Sequence, residues 1–236
     1  MANTTIKLND NMTIPLLGFG TGTAQIKKDV QDFVTAAINA GITHLDGAQA
    51  YRNEDSLGAG IAAAGKPREQ LFVTTKLIRH AEVKTIRDTL VESLVKLRLD
   101  YVDLFLIHTP IDYIQEPGLL KAVWKQMEAV KKEGLARSIG VSNFRPEQLQ
   151  EILVGAEFPP SVNQVQCTVY ITRYVNDICV ADRVPSVCLQ GSVAHPGAAE
   201  AIRDRDRIVR RALAHFPCQE GWSAGSRLGF YREETL

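Results

Sequence analysis

The chain has 236 residues, 45% hydrophobic and 23% charged, with Lys+Arg and Asp+Glu both at 27. Balanced charge offers no electrostatic footprint for nucleic acid or a membrane surface, and no apolar run approaches the ~18 residues of a membrane span. Four cysteines without metal-ligand spacing, and an N-terminus, MANTTIKLNDNMTIP, without an apolar secretory core, lead to the expectation of a cytoplasmic protein in a reducing compartment.

In chain order, TIKLND and MTIPLLG alternate around Asn9, Asp10 and Asn11 and are expected to form a small β-hairpin. LLGFGTGTA is a short apolar run ending in glycines. KKDVQDFVTAAINAG then places Val30, Phe33, Val34, Ala37 and Ile38 at helical spacing, with Gly41 as its stop. ITHLDGA reads as a strand, NEDSLGAGIAAAG as a helix, LFVTTKL as a β-branched strand and KTIRDTLVESLVKLRL as an amphipathic helix. VDLFLIH is nearly all apolar, as a strand covered on both faces should be. LLKAVWKQMEAVKKEGL is a helix with Gly134 near its end. ARSIGVSN is a strand, RPEQLQEILVGA a helix with Pro146 in its first turn, and SVNQVQ a sixth strand.

Strands recur roughly every 25 to 30 residues between helices, a rhythm of βα units around a parallel sheet. An open doubly wound sheet and a closed (β/α)8 barrel both fit it. A dinucleotide fold of the first kind calls for G-x-G-x-x-G after its first strand, and Gly18, Gly20 and Gly22 do not match that spacing. A barrel calls instead for polar residues at the C-terminal ends of several strands. Asp46, Lys76, His108, Ser142 with Asn143, and Gln164 stand at five successive strand ends. The expected fold is therefore an α/β, (β/α)8 TIM barrel with an N-terminal hairpin.

The pattern weakens after Gln166. All eleven lysines lie at or before Lys132, while Cys167 onward holds nine arginines and all four cysteines, Cys167, Cys179, Cys188 and Cys218. Residues 167–192 have room for one or two short strands, and 198–216 read as a helix with Ile202, Ile208, Val209 and Leu213 to one side. The chain is thus divided into a barrel portion, 1–166, and an atypical segment, 167–236, with the barrel incomplete or irregular beyond the sixth strand.

Asp46, Tyr51, Lys76 and His108 form a chemically coherent set. Alone, each has an ordinary explanation: a turn aspartate, a packing tyrosine, a solvated lysine, a strand-closing histidine. Together they make a proton-transfer site. A phenol with a free pKa near ~10 is a sluggish acid at neutral pH. An ammonium nearby favours its phenolate, a carboxylate keeps that ammonium charged, and a neutral imidazole can orient a carbonyl oxygen. Such an acid protonates a carbonyl oxygen while hydride reaches the carbon, and it requires no metal.

The stretches LLGFGTGT (16–23), GITHLDGAQAYRNE (41–54), LFVTTKL (71–77), LRLDYVDLFLIHTP (97–110), GLARSIGVSNF (134–144) and VNQVQ (162–166) resemble the aldo-keto reductases, most closely fungal members. The resemblance runs in register from residue 1 to about 166. It implies that Tyr51 is the general acid, that Lys76 and Asp46 tune it, and that His108 orients a small carbonyl substrate. It implies NADPH as hydride donor, with Ser142, Asn143 and Gln164 at the carboxamide, the backbone of Gly20 and Thr21 alongside, and Asp46 shared by both sets. The chain departs from the family at NQVQCTVYI, at Gly191 and Ser192 where a stacking aromatic is expected, and in lacking a late Lys-Ser phosphate motif. The arginines from Arg203 to Arg211 read as a solvated helix face. One event, a departure from the family's reading frame near residue 166, would account for these differences together. The competing expectation is a catalytically inactive relative with weak cofactor binding.

Overall fold

The computed structural model describes residues 5–78, 85–166 and 186–189. The expectations concerning Gly191, Ser192, the 198–216 helix and its arginines lie outside the described residues.

The N-terminal hairpin forms as expected. β1 (Thr5–Lys7) and β2 (Thr13–Pro15) pair antiparallel, with Thr5 opposite Pro15. Its turn contains Asn11 in the left-handed region at φ 69°, a conformation that asparagine tolerates better than most residues. Leu8 and Ile14 of the hairpin pack in one buried cluster with Phe72, Leu104, Leu106 and Val162. Asp10 locks the hairpin in place: its Oδ2 accepts from Lys131 Nζ (2.9 Å), Ser138 Oγ (2.7 Å) and Ser161 Oγ (2.8 Å). The hairpin therefore plugs the N-terminal end of the main sheet.

That sheet contains β3 (Gly18–Gly20), β4 (His44–Asp46), β5 (Phe72–Leu77), β6 (Val102–Ile107), β7 (Ala136–Ser142), β8 (Asn163–Gln166) and β9 (Ser186–Leu189). The strands lie in chain order and every neighbouring pair is parallel. A doubly wound sheet reverses its strand order at a switch point. Uninterrupted sequential order is that of the (β/α)8 barrel. The six anticipated strands are all present, and β9 is a seventh, inside the stretch expected to have room for one or two short strands. Among the described residues there is no eighth strand, and β3 and β9 are the two ends of the sheet.

Among the described residues, five α-helices alternate with the strands: α1 (Gln31–Asn39), α2 (Glu54–Ala64), α3 (Ile86–Leu97), α4 (Leu119–Lys132) and α5 (Pro146–Leu153). Local chemistry sets their ends. Thr85 Oγ1 accepts from Asp88 N (3.1 Å) at the start of α3, Arg145 N donates to Gln148 Oε1 (2.8 Å) at the start of α5, and Pro146 occupies the first turn, where its missing N–H is harmless. α1 begins later than its lysines implied. Lys27 adopts φ 60°, and Asp29 Oδ1 accepts from Gln31 N (2.9 Å) two residues on, a local turn that holds the chain out of the helix until Gln31. No helix among the described residues is long and apolar enough to cross a membrane.

β6 shows why an almost continuous apolar run belongs in this fold. Leu104 and Leu106 join the hairpin cluster, while Phe105 and Ile107 face the layer of Leu57, Leu90, Leu94, Trp124 and Met127 on the helices. Both faces are dry, and full burial of each such side chain contributes ~1.5–3 kcal/mol. The opposite end of the sheet, where the strands finish, is where polar side chains accumulate.

Candidate functional site

Strand register brings the polar residues to one level. Gly20 lies opposite Asp46, Asp46 opposite Thr74, Lys76 opposite Leu106, and Ser142 opposite Gln164. Asp46 ends β4, Lys76 is the penultimate residue of β5, and His108 follows β6 with its N–H on Leu77 O (3.2 Å). Tyr51 comes from a 3-10 turn, Gln49–Tyr51, just beyond β4. Arg52, at φ 54°, then swings the chain into α2, and Tyr51 O accepts from Lys27 N (2.8 Å), tying the turn to the loop after β3.

Lys76 is the centre of the group. It is 1% exposed, yet its Nζ lies 2.8 and 2.7 Å from the two Asp46 carboxylate oxygens, 2.9 Å from Gly47 O and 3.5 Å from Tyr51 Oη. Burial pulls the lysine pKa down, but the Asp46 carboxylate, and after it Tyr51, outweigh that and hold it above the ordinary value. Lys76 is therefore a permanent cation in a dry setting. An ion pair so placed is a weak source of stability, though removing one partner typically costs ~3–5 kcal/mol. What it does provide is a fixed positive charge beside a phenol.

His108 meets Tyr51 edge to face, with ring centroids 5.7 Å apart and planes at 82°. Burial, and then the Lys76 ammonium, lower its pKa to about 4. At neutral pH it is an uncharged imidazole with one N–H to donate. Asn143 Nδ2 donates to His108 O (2.9 Å) and to Ser142 Oγ (3.0 Å), and Asn143 N donates to Gln164 O (3.0 Å). The Ser142 hydroxyl donates to Gln164 O (2.8 Å), and Gln164 Nε2 donates to Asp46 Oδ1 (3.3 Å). Thr21 N donates to Asp46 O (3.0 Å). Every residue singled out in the sequence, from Gly20 to Gln164, thus belongs to one connected cluster.

Two side-chain amides stand close together at this end of the sheet. Side-chain amides both donate and accept, and Asn143 and Gln164 present theirs from adjacent strand ends, with Asn143 exposed.

Two contributions were not visible in the sequence. Gly22 lies against Tyr51: a Cβ there would stand 2.7 Å from Tyr51 Cζ and 3.0 Å from its oxygen. Asn53, buried, donates from Nδ2 to Thr21 O and Gln25 O, both at 2.9 Å, and so shapes the loop that carries Gly22. Gly22 had a signal only in failing the dinucleotide spacing. Asn53 looked like a helix start.

The Aldo/keto reductase family model matches residues 16–218. A Mycolicibacterium vanbaalenii aldo-keto reductase is 42% identical over 224 residues, covering 92% of this chain and 79% of that protein. A Schizosaccharomyces pombe NAD/NADP-dependent indole-3-acetaldehyde reductase is 39% identical over 160 residues, covering 65% of this chain and 56% of that protein. The chain spans only 59% of a putative methylglyoxal reductase of Salmonella typhi. Among solved structures, a Bombyx mori aldo-keto reductase in complex with NADP is 36% identical with a TM-score of 0.68, over 80% of this chain and 66% of that one.

Proposed function

Because the chain belongs to the aldo/keto reductase family, we propose that it reduces aldehydes or ketones to alcohols with NADPH, Tyr51 supplying the proton. The observation that carries this reading is the buried Lys76 ammonium, clamped by both Asp46 oxygens and 3.5 Å from the Tyr51 hydroxyl. Related proteins support the reaction class: the Schizosaccharomyces pombe relative is named for indole-3-acetaldehyde and a Bacillus subtilis relative for glyoxal. The silkworm structure, solved with NADP, supports the cofactor.

When bound, NADPH supplies hydride to the carbonyl carbon. Gln164, Asn143 and Ser142 would hold its carboxamide, with the backbone of Gly20 and Thr21 beside it. The remaining work is this chain's own. Neutral His108 donates its N–H to the carbonyl oxygen and aims it at Tyr51. The Tyr51 hydroxyl passes its proton to that oxygen, and the resulting phenolate lies against the Lys76 cation. Asp46 holds Lys76 in position and keeps it charged. Preorganised charge of this kind costs no reorganisation at the moment of reaction. Ile111 and Ile114, 65% and 44% exposed just beyond His108, favour a substrate with an apolar part. A cytoplasmic location belongs to the same reading and rests on cysteine usage.

The test is direct. Purified protein is titrated with NADPH while the fluorescence of Trp124 and Trp222 is followed, and NADPH oxidation is then assayed with a reactive aromatic aldehyde. Saturable binding and turnover are expected. Tyr51→Phe should keep the cofactor Kd and lower kcat by roughly 10²–10⁴-fold, the range of general acid catalysis. Absence of saturable binding, or a Tyr51→Phe protein at full rate, refutes the assignment.

A further inference from the structure

Behind Tyr51 and Lys76, outside the sheet, a buried polar line links the two segments that carry them. Glu54 is 1% exposed. Its Oε1 accepts from Thr75 Oγ1 (2.7 Å) and its Oε2 from Ser93 Oγ (3.2 Å). The Ser93 oxygen accepts from Gln49 Nε2 (3.1 Å), which also donates to Thr89 O (3.1 Å). Gln49 Oε1 in turn accepts from Ile78 N (2.9 Å). Burial pushes the Glu54 carboxyl up, against the pull of the two hydroxyls.

The chain positions give this line its meaning. Gln49 and Glu54 bracket Tyr51 on either side, and Thr75 and Ile78 bracket Lys76. One cross-link joins Gln49 to Ile78, the other joins Glu54 to Thr75, and Ser93 on α3 joins the cross-links to each other. The turn bearing the phenol is thus pinned to the strand bearing the ammonium before and after both residues. None of these groups touches Tyr51 Oη or Lys76 Nζ.

We propose that Gln49 is a positioning residue for the Tyr51–Lys76 pair, its amide bridging the acid's turn to the end of β5 and to the Ser93–Glu54 link. The kinetic part of the test rests on the reductase reading above. The structural part does not.

Gln49→Ala is expected to lower kcat roughly tenfold or more, since ångström-scale misplacement at a reacting group costs on the order of 10²-fold. The NADPH Kd should stay within about twofold. In a Tyr51→Phe background the same change should alter the residual rate by less than about twofold, the non-additivity of residues acting through one another. Equal factors in both backgrounds, or an unchanged kcat in Gln49→Ala, overturn the proposal. A second measurement needs no turnover. In cofactor-free protein labelled with 13Cζ-tyrosine, the Tyr51 resonance should move in Gln49→Ala, and an unmoved resonance also overturns the proposal. If the wild type binds no NADPH while the resonance moves, the reductase reading fails and the positioning role stands. Should Gln49→Ala not fold, Ser93→Ala breaks the same line one step away and is expected to shift the resonance likewise; no shift there overturns the proposal.

Discussion

Gly22→Ala isolates the geometry of the acid from the stability of the fold. Gly22 has φ −84° and ψ −165°, an extended conformation open to alanine without backbone strain. The nearest atoms an alanine Cβ would meet all belong to Tyr51. A built Cβ would stand 2.7 Å from Tyr51 Cζ, about 0.8 Å inside the ~3.5 Å carbon–carbon optimum. Backbone flanks Gly22, so the phenol yields. Its oxygen is already 3.5 Å from Lys76 Nζ, and a displacement of nearly an ångström disturbs both that distance and the line to a substrate oxygen. Misplacement of this size costs on the order of 10²-fold in rate, or about 2.7 kcal/mol of transition-state stabilisation. Moving one half-buried ring end costs far less in folding. The assay pairs steady-state aldehyde reduction with a thermal melt and an NADPH titration. The expected result is a collapse of kcat with the melt and the cofactor Kd nearly unchanged. Wild-type kcat in Gly22→Ala, or a loss of rate matched by a large fall in Tm, refutes the reasoning.

His44 gives a pH prediction. It is fully buried, its Nε2 lies 2.9 Å from Thr74 Oγ1, and burial lowers its pKa from 6.5 to about 4. The unfolded chain takes up the proton near 6.5 and the folded chain only near 4, so stability is intact above that window and declines as pH falls through it. At 1.36 kcal/mol per pH unit the decline attributable to His44 reaches about 3 kcal/mol. Urea melts of wild type and His44→Gln across this range should converge in slope only above it; identical acid slopes would show that His44 is not responsible. Asp10→Ala removes the acceptor of Lys131, Ser138 and Ser161 and is expected to cost about 2–3 kcal/mol, in the range of hydrogen bonds to charged groups. Hydrogen exchange should show the Leu8 amide, bonded to Met12 O at 2.8 Å, opening early while Phe105 on β6 stays protected.

The barrel was legible because its strands are apolar and end on polar residues. Asp46, Lys76, His108, Ser142 and Gln164 mark the ends of β4 to β8, and a sheet that exposes only one edge has only one place to put them. β9 was anticipated only as one of one or two unplaced short strands, because four residues, Ser-Val-Cys-Leu, are too few to display a period. The fall in lysine after Lys132 drew attention to residue 166, yet the family match continues to residue 218. Gly22 and Gln49 were invisible for another reason. Their roles are defined by what lies across space, Tyr51 for one and Ile78, Thr89 and Ser93 for the other. Nothing in their immediate neighbours in the sequence encodes those meetings. Glu54 was part of a quoted motif, but its position at a helix start concealed that its carboxylate faces Thr75 and Ser93.

An ammonium group owns three hydrogens. Around Lys76 Nζ, the two oxygens of Asp46 and the carbonyl of Gly47 stand at 2.7 to 2.9 Å, while Tyr51 Oη makes the longest contact, at 3.5 Å. Lys76 is therefore held chiefly by Asp46 and Gly47, and it acts on the phenol as a fixed charge with one long hydrogen bond at 3.5 Å. In the proposed reaction, a Tyr51 that has given up its proton would regain one from solvent, on the partly exposed side of its ring. A bulky product held at that side would then delay the return of the proton.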